Sequence, residues 1–564
     1  MTPSSRRRKR TWALAIVVLL ALLNLGALAW FQLRTSETAP GPGGLAATSP
    51  SVAPRAAHSP PDEAAMEHQR QLVEAQQTRI RDIFRDADSL PGPGTVTHSA
   101  DAVPTLLVPP RTAPYSLPEL AQAAPTAVRL LPDGSAELLN HLLLGRGATL
   151  EVDSAITPRV LLHSGADGFA TLATTYGALN LHGTAGKPLE ITSADAAGAP
   201  DADTSDGRAY ITAQGGRIDA RYLMMHDLGF YTGETSGLSW MNRSGTPATG
   251  GASDSTFQHN YMGAYTSGAI NLVFERVKFL DNIDYGFDPH TSTDHMLLAD
   301  SYAAGNGSHG IILSRACNNN VVRDTVSERN AGVGIMIDDG EDTGGYALQG
   351  SNNNLLQRVR VAGNGAAGVV VEGGDGNRLE DADIGDERYG VWLRNKPTNT
   401  VVDTSKLTSQ GVGLRVDQES AGTSMTRSTV TAATVGVLLD HTAGTTLTDD
   451  ALNVAAGTAA AVQGSPTQAT FQGVRLTGSG TAFTVDDAAT EPPAGVDTAG
   501  WSHGASSTSS RGGFSLMRVL GWVPWVLVLL PILLAWPLFR LRRKARLRPP
   551  GRSADRGGDD VQRV

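Results

Sequence analysis

The feature that most constrains this chain is a glycine that recurs, each time opening a short apolar run. It stands at Gly286 in YGFDPH, Gly310 in HGIILSR, Gly334 in VGIMIDD, Gly368 in AGVVVEG, Gly390 in YGVWLRN, Gly413 in VGLRVDQ and Gly436 in VGVLLDH. The steps are 24, 24, 34, 22, 23 and 23 residues, and the long one holds an excess around GEDTGGYALQ, read as a loop inserted into one coil. A second register runs alongside. Asn282, Asn306, Asn330 and Asn364 each lie four residues before such a glycine, and Asn320, Asn354, Asn377 and Asn399 form a further series. A repeat this short cannot bury an apolar face alone, so stacked neighbours must supply the core. The pattern predicts an all-β chain, a right-handed parallel β-helix over residues 116–490.

Strand alternation then assigns the side chains. Counting each glycine as zero, positions 1 and 3 are apolar and point inward: Phe287 and Pro289, Ile311 and Leu313, Ile335 and Ile337, Val369 and Val371. Positions 2 and 4 face out: Asp288 and His290, Ile312 and Ser314, Met336 and Asp338, Val370 and Glu372, Trp392 and Arg394. Neighbouring strands lie about 4.8 Å apart, so His290 should stand beside Ser314, with Arg315 at the strand's end. Asp288 shares the outward face of His290 and is placed to orient its imidazole. Tyr285 and His309, each just before a repeat glycine, should be neighbours at the edge of this exposed track.

The ends differ from the middle. RRRKR at Arg6–Arg10 precedes an apolar run from Trp12 to Phe31, and a second run from Val519 to Phe539 leads into RLRRKARLR. Both runs are long enough to span a bilayer as helices, and the flanking charges place both termini on the cytoplasmic side. Ala27-Leu28-Ala29 offers the alternative of a cleaved signal. The organisation expected is a basic tail (1–10), a membrane helix or signal anchor (11–33), a Pro- and Ala-rich tether (34–115), the β-helix, a linker (491–517), a second membrane helix (518–540) and a basic tail (541–564). Within the tether, residues 62–88 read as a helix. Met66, Val73, Ile80 and Ala87 recur every seven residues there, a stripe suited to a short coiled coil or to docking on the main domain.

The single cysteine, Cys317, excludes an intramolecular disulfide framework and thiolate metal clusters. Residues 1–10 and 540–564 take 14 of the 46 basic and 3 of the 56 acidic residues, leaving 32 against 53, a net −21 between them. That balance argues against nucleic acid as a partner. It also sits in tension with a polyanionic substrate.

The stretch DNIDYGFDPH…ADSYAAGNGSHGIILSR, strongest from Asp281 to Asp338, resembles the periplasmic mannuronan C5-epimerases of bacterial alginate biosynthesis. The resemblance implies a right-handed β-helix acting on a polymer of mannuronate without cofactor or metal. By position it implies His290 as general base and Arg315 as the group neutralising the substrate carboxylate. Asp288 and His309 would belong to the site, and Asn330 and Asp338 would contact sugar. The family motif reads Asp-Pro-His-Asp-x-Ser, whereas here Thr291 and Thr293 replace its second aspartate and its serine. Asp339 stands where the family tends to carry a basic residue.

The residue types suit this chemistry independently. Removing the C5 proton of a uronate places charge on the adjacent carboxylate, which a planar guanidinium neutralises through two hydrogen bonds. A neutral imidazole is a suitable base. Substrate contacts are expected from Tyr285, Asp288, His309, Ser314, Asn330, Asp338, Trp392 and Arg394. The expected partners are an acidic polysaccharide, the membrane, and other proteins of exopolysaccharide synthesis or export. Three alternatives stay open: a polyuronate lyase using the same His290–Arg315 pair, a non-catalytic binding or export scaffold, and a hydrolase using Asp338 and Glu372.

Overall fold

The computed structural model describes residues 63–340, 349–464 and 468–503. Both apolar end segments, their basic tails and residues 341–348 of the inserted loop lie outside the described residues. Among the described residues no helix is long and apolar enough to cross a membrane.

The chain winds into a parallel β-helix whose coils each contribute one strand to each of three faces. In one coil these are Phe287–His290, Leu297–Ala299 and Tyr302–Ala304, each pairing in parallel with its counterpart in the next coil. Longer strands towards the C-terminal end, such as Asp383–Arg394 and Ala451–Gln463, merge two of the faces into one sheet. One continuous apolar core runs through the centre, with Trp240, Phe257, Phe274, Phe279 and Phe287 in mutual ring contact along part of it.

The repeat glycine has a steric cause. A Cβ on Gly286 would lie 2.5 Å from the carbonyl oxygen of Gly310 in the next coil, one on Gly310 2.7 Å from that of Gly334, and one on Gly334 2.8 Å from that of Gly368. Only hydrogen fits between coils at this corner. The asparagines line a neighbouring corner. The main-chain N–H of Asn282 donates to Asn306 Oδ1, Asn306 to Asn330 and Asn330 to Asn364, and Asn364 N–H donates to buried Glu387, which closes the ladder. In the second ladder Asn320 donates to Asn354 and Asn354 to Asn377. Asn399 is not its next rung. It turns to Asp375 instead, and Thr400, next in the chain, is the buried residue.

The span read as a tether is structured from Glu63 onward. A 25-residue helix, Glu63–Ala87, is followed by antiparallel strands Gly94–His98 and Asp101–Val108, the second of which pairs with His141–Leu144 of the β-helix. Likewise Val496–His503, within the expected linker, pairs with Val474–Val485. The heptad stripe faces the protein's own sheet rather than another helix. Ile80, Ile83 and Ala87 cover Leu107, Leu143 and Ala173, which point outward from the sheet that carries His290. Buried Arg79 donates to Thr105 and Thr171, and Gln76 to Asp101, pinning the helix to the first coils.

Candidate functional site

The register sets His290 beside Ser267 on one side and Ser314 on the other, and Ser314 beside Asp338. Asp288 lies beside Tyr265. This row and its neighbour run along one outer face of the β-helix, the candidate groove. The groove is less open than alternation implied. Asp288, Ser314 and Asp338 are only 3%, 4% and 8% exposed. Tyr285, Tyr389 and Trp392 pack over a second apolar cluster of Ile312, Val333, Met336, Ala367 and Val370 on the outer face. Burying such side chains beneath aromatics is favourable, and it carries the adjacent polar groups into low dielectric with them.

His290 Nδ1 lies 2.5 Å from the hydroxyl of Thr291, which the left-handed turn after the strand (φ 34°) brings round to the ring. Burial, and then the charge of Arg315, lower its pKa to about 4. The imidazole is therefore neutral at pH 7. Thr291, not Asp288, holds it. The Asp288 carboxyl, pushed well above the usual range by burial and by neighbouring Asp284 and Asp338, makes no hydrogen bond to His290. Thr293 is fully buried, bonded to the His290 carbonyl and to Thr266.

Arg315 also adopts a left-handed conformation (φ 58°). Its guanidinium runs past Gly340, where a Cβ would lie 2.7 Å from Nε. Asp338 is held by Ser314 and raised to about 6, chiefly by burial. His309 stacks on Tyr285 with ring centroids 5.3 Å apart. Its Nδ1 accepts the Val333 N–H at 2.9 Å, which leaves the proton on Nε2, and burial with nearby Arg394 lowers its pKa to about 4. Further along, Arg394 pairs with Glu372 and lies over Trp392, whose indole N–H donates to Asp417.

Asn330 does not line this groove. It is fully buried in the asparagine ladder, with its amide spent on Asn364, Ser327 and Ala303. Its position four residues before the glycine is a coil corner, not an outward strand position.

Three groups escaped the sequence reading. Tyr265 lies 5.8 Å from His290 between ring centroids, and burial, then Asp288, raise its pKa. Asp284 is raised to about 6 by burial. Glu234 is raised by burial beside the N-terminal helix, where Gln77 bonds to it. The signal for Tyr265 was present: Gly263 precedes Gly286 by 23 residues, which puts Tyr265 at outward position 2 of one more coil. Among the described residues no group of three His, Cys, Asp or Glu is arranged to hold a metal ion.

Fold and register together define a parallel β-helix protein with a row of polar side chains along one outer sheet face. The family model described as a right handed beta helix region matches residues 341–476. The chain is 30% identical over 160 residues to a mannuronan C5-epimerase of Pseudomonas putida, covering 27% of this chain and 28% of the relative. It is 28% identical over 180 residues to mannuronan C5-epimerase AlgG of Azotobacter vinelandii, covering 29% and 30%. It therefore spans under a third of the length of these curated relatives. A crystal structure of a variant of the periplasmic alginate epimerase AlgG superposes with a TM-score of 0.51 at 16% identity, over 68% of this chain and 85% of that one, and shares the fold. Over these 160 to 180 residues the chain is similar to mannuronan C5-epimerases.

Proposed function

We propose that this protein inverts C5 of uronate residues within a polymannuronate-like polysaccharide. The observation that carries this reading is the juxtaposition of a half-buried, neutral His290 with Arg315 on the next coil of one groove. With Nδ1–H donated to Thr291 Oγ1, Nε2 has a free lone pair and takes the C5 proton. Arg315 neutralises the substrate carboxylate as its charge builds, through a fork that an ammonium cannot reproduce. Water returns a proton to the opposite face of C5, and His290 releases its own to solvent. No glycosidic bond breaks.

Elimination is the second reading. His309, fixed with its proton on Nε2, would then donate to the leaving 4-oxygen. The β-helix works outside the cytoplasm, held by the two apolar end segments, both termini being cytoplasmic. The basic clusters beside those segments support this placement.

The experiment is reaction of polymannuronate in deuterated water, followed by proton NMR. Deuterium at C5 of inverted residues, with chain length unchanged, is expected. Shortened chains with 4,5-unsaturated ends would assign elimination instead. His290→Ala should lower turnover by at least about 10²-fold, the usual worth of a general base, while binding persists. Arg315→Lys should fail similarly. Wild-type rates in either variant would remove the pair from the mechanism.

A further inference from the structure

The geometry points to a distal subsite for a carboxylated glycan strand, built jointly by the N-terminal helix and the first coils, along the same edge of the sheet as His290 and Arg315. This inference rests on an acidic glycan being the ligand of the groove.

On a chain that is acidic as a whole, four arginines converge at one place. Arg81 and Arg85 come from the helix, Arg146 and Arg243 from turns of the β-helix, and together with Phe84 and Tyr176 they line a cavity of about 940 Å³. Only Asp82 and Asp88 offset them there. Asp82 is engaged by His98 as well as by Arg81, and Asp88 accepts the main-chain N–H of Arg146. Arg85, Arg146 and Arg243 have no carboxylate partner among the described residues. Arg146 lies over the Tyr176 ring at 4.0 Å and Arg243 over Phe84 at 4.5 Å. Burial, with repulsion from Arg81 and Arg85, holds the Arg243 guanidinium below its usual pKa. Cations stacked on flat aromatic faces suit a sugar ring bearing a carboxylate, and Arg243 also donates to Gln214 Oε1.

The position follows from the register. Leu144, Thr174, Ala213, Trp240, Thr266 and Pro289 are successive partners on one sheet. Arg146, Tyr176 and Thr291 each follow their member of this row by two residues, and Arg243 follows Trp240 by three. The cluster therefore extends along the strand-end edge from about 10 Å to about 24 Å from His290 at the usual strand spacing. The floor of the groove cannot continue that far. The helix lies on it over Leu107, Leu143 and Ala173, and Gln214 is tied to Gln77 of that helix. A polymer leaving His290 in this direction is turned to the edge, where the arginines stand.

The test uses the full chain carrying Arg85→Gln and Arg146→Gln, and calorimetric binding of a mannuronate trimer and a mannuronate decamer. Decamer affinity is expected to fall roughly tenfold, in keeping with the loss of two charge-assisted contacts at an exposed site. Trimer affinity and kcat at saturating polymer should not change, while KM for long polymer rises in step. Equal decamer affinity in wild type and variant overturns the subsite, as does an equal loss for the trimer. So does a variant that loses binding to phosphatidylserine vesicles while keeping the decamer. If the glutamine pair unfolds, Arg85→Glu alone, on the exposed face of the helix, is read in the same way. Repeating the binding in His290→Ala separates the two claims, because length-dependent binding there needs no turnover.

Discussion

Asn330→Ala separates a structural asparagine from a sugar-binding one. The Asn330 side chain accepts the main-chain N–H of Asn306 at 3.1 Å and its amide N–H at 2.8 Å. It donates to Asn364 Oδ1 at 2.9 Å and to Ser327 Oγ at 3.1 Å. Alanine leaves two buried donors on Asn306 without an acceptor, and each such orphan costs about 1–3 kcal/mol. The loss should total about 2–6 kcal/mol, a large share of the roughly 5–15 kcal/mol that holds a domain together. In a solenoid, stability is shared between nearest neighbours, so the loss should concentrate in the coils of Asn306, Asn330 and Asn364. Urea unfolding measures the total, and amide hydrogen exchange locates it. Mannuronate decamer affinity, measured below the transition, should match wild type. Unchanged stability with lost affinity would refute the ladder argument and return Asn330 to the groove.

The kcat/KM profile should keep its activity down to about pH 4 on the acid side, because His290 is neutral above that value; an acid limb near the ordinary histidine value of 6.5 would contradict the burial argument. Since the unfolded chain binds that proton first, His290 also withdraws stability as pH falls from 6.5 towards about 4, a contribution that a His290→Asn variant should lack in pH-dependent melting. Removing the nearby charge in Arg315→Gln should move the His290 pKa upward in an NMR titration, though not to 6.5, because burial is the larger cause. Tyr265→Phe should lower turnover more than binding, as expected of a phenol whose ring lies 5.8 Å from that of His290; equal kinetics would confine Tyr265 to packing.

The coil period, the inward row and the neighbours across coils were legible because a β-helix repeats one local geometry. The residue that suits a corner or an inward position recurs there, and stacking at fixed spacing turns sequence separation into contact. That is why the adjacency of His290 and Ser314, and of Tyr285 and His309, could be counted off. The logic failed wherever a contact broke the repeat. Alternation says which way a side chain points, not what covers it: Asp288 and Asp338 point outward yet are buried, and Tyr285, Tyr389 and Trp392 pack on an outer apolar cluster drawn from different coils. The Thr291 hydroxyl reaches His290 only through a left-handed turn, a backbone state that a threonine does not announce. The heptad of the N-terminal helix shows an apolar stripe, but an amphipathic face carries no address. Its docking over Leu143 and Ala173, and with it the meeting of Arg81 and Arg85 with Arg146 and Arg243, depends on surfaces brought together only by the folded chain.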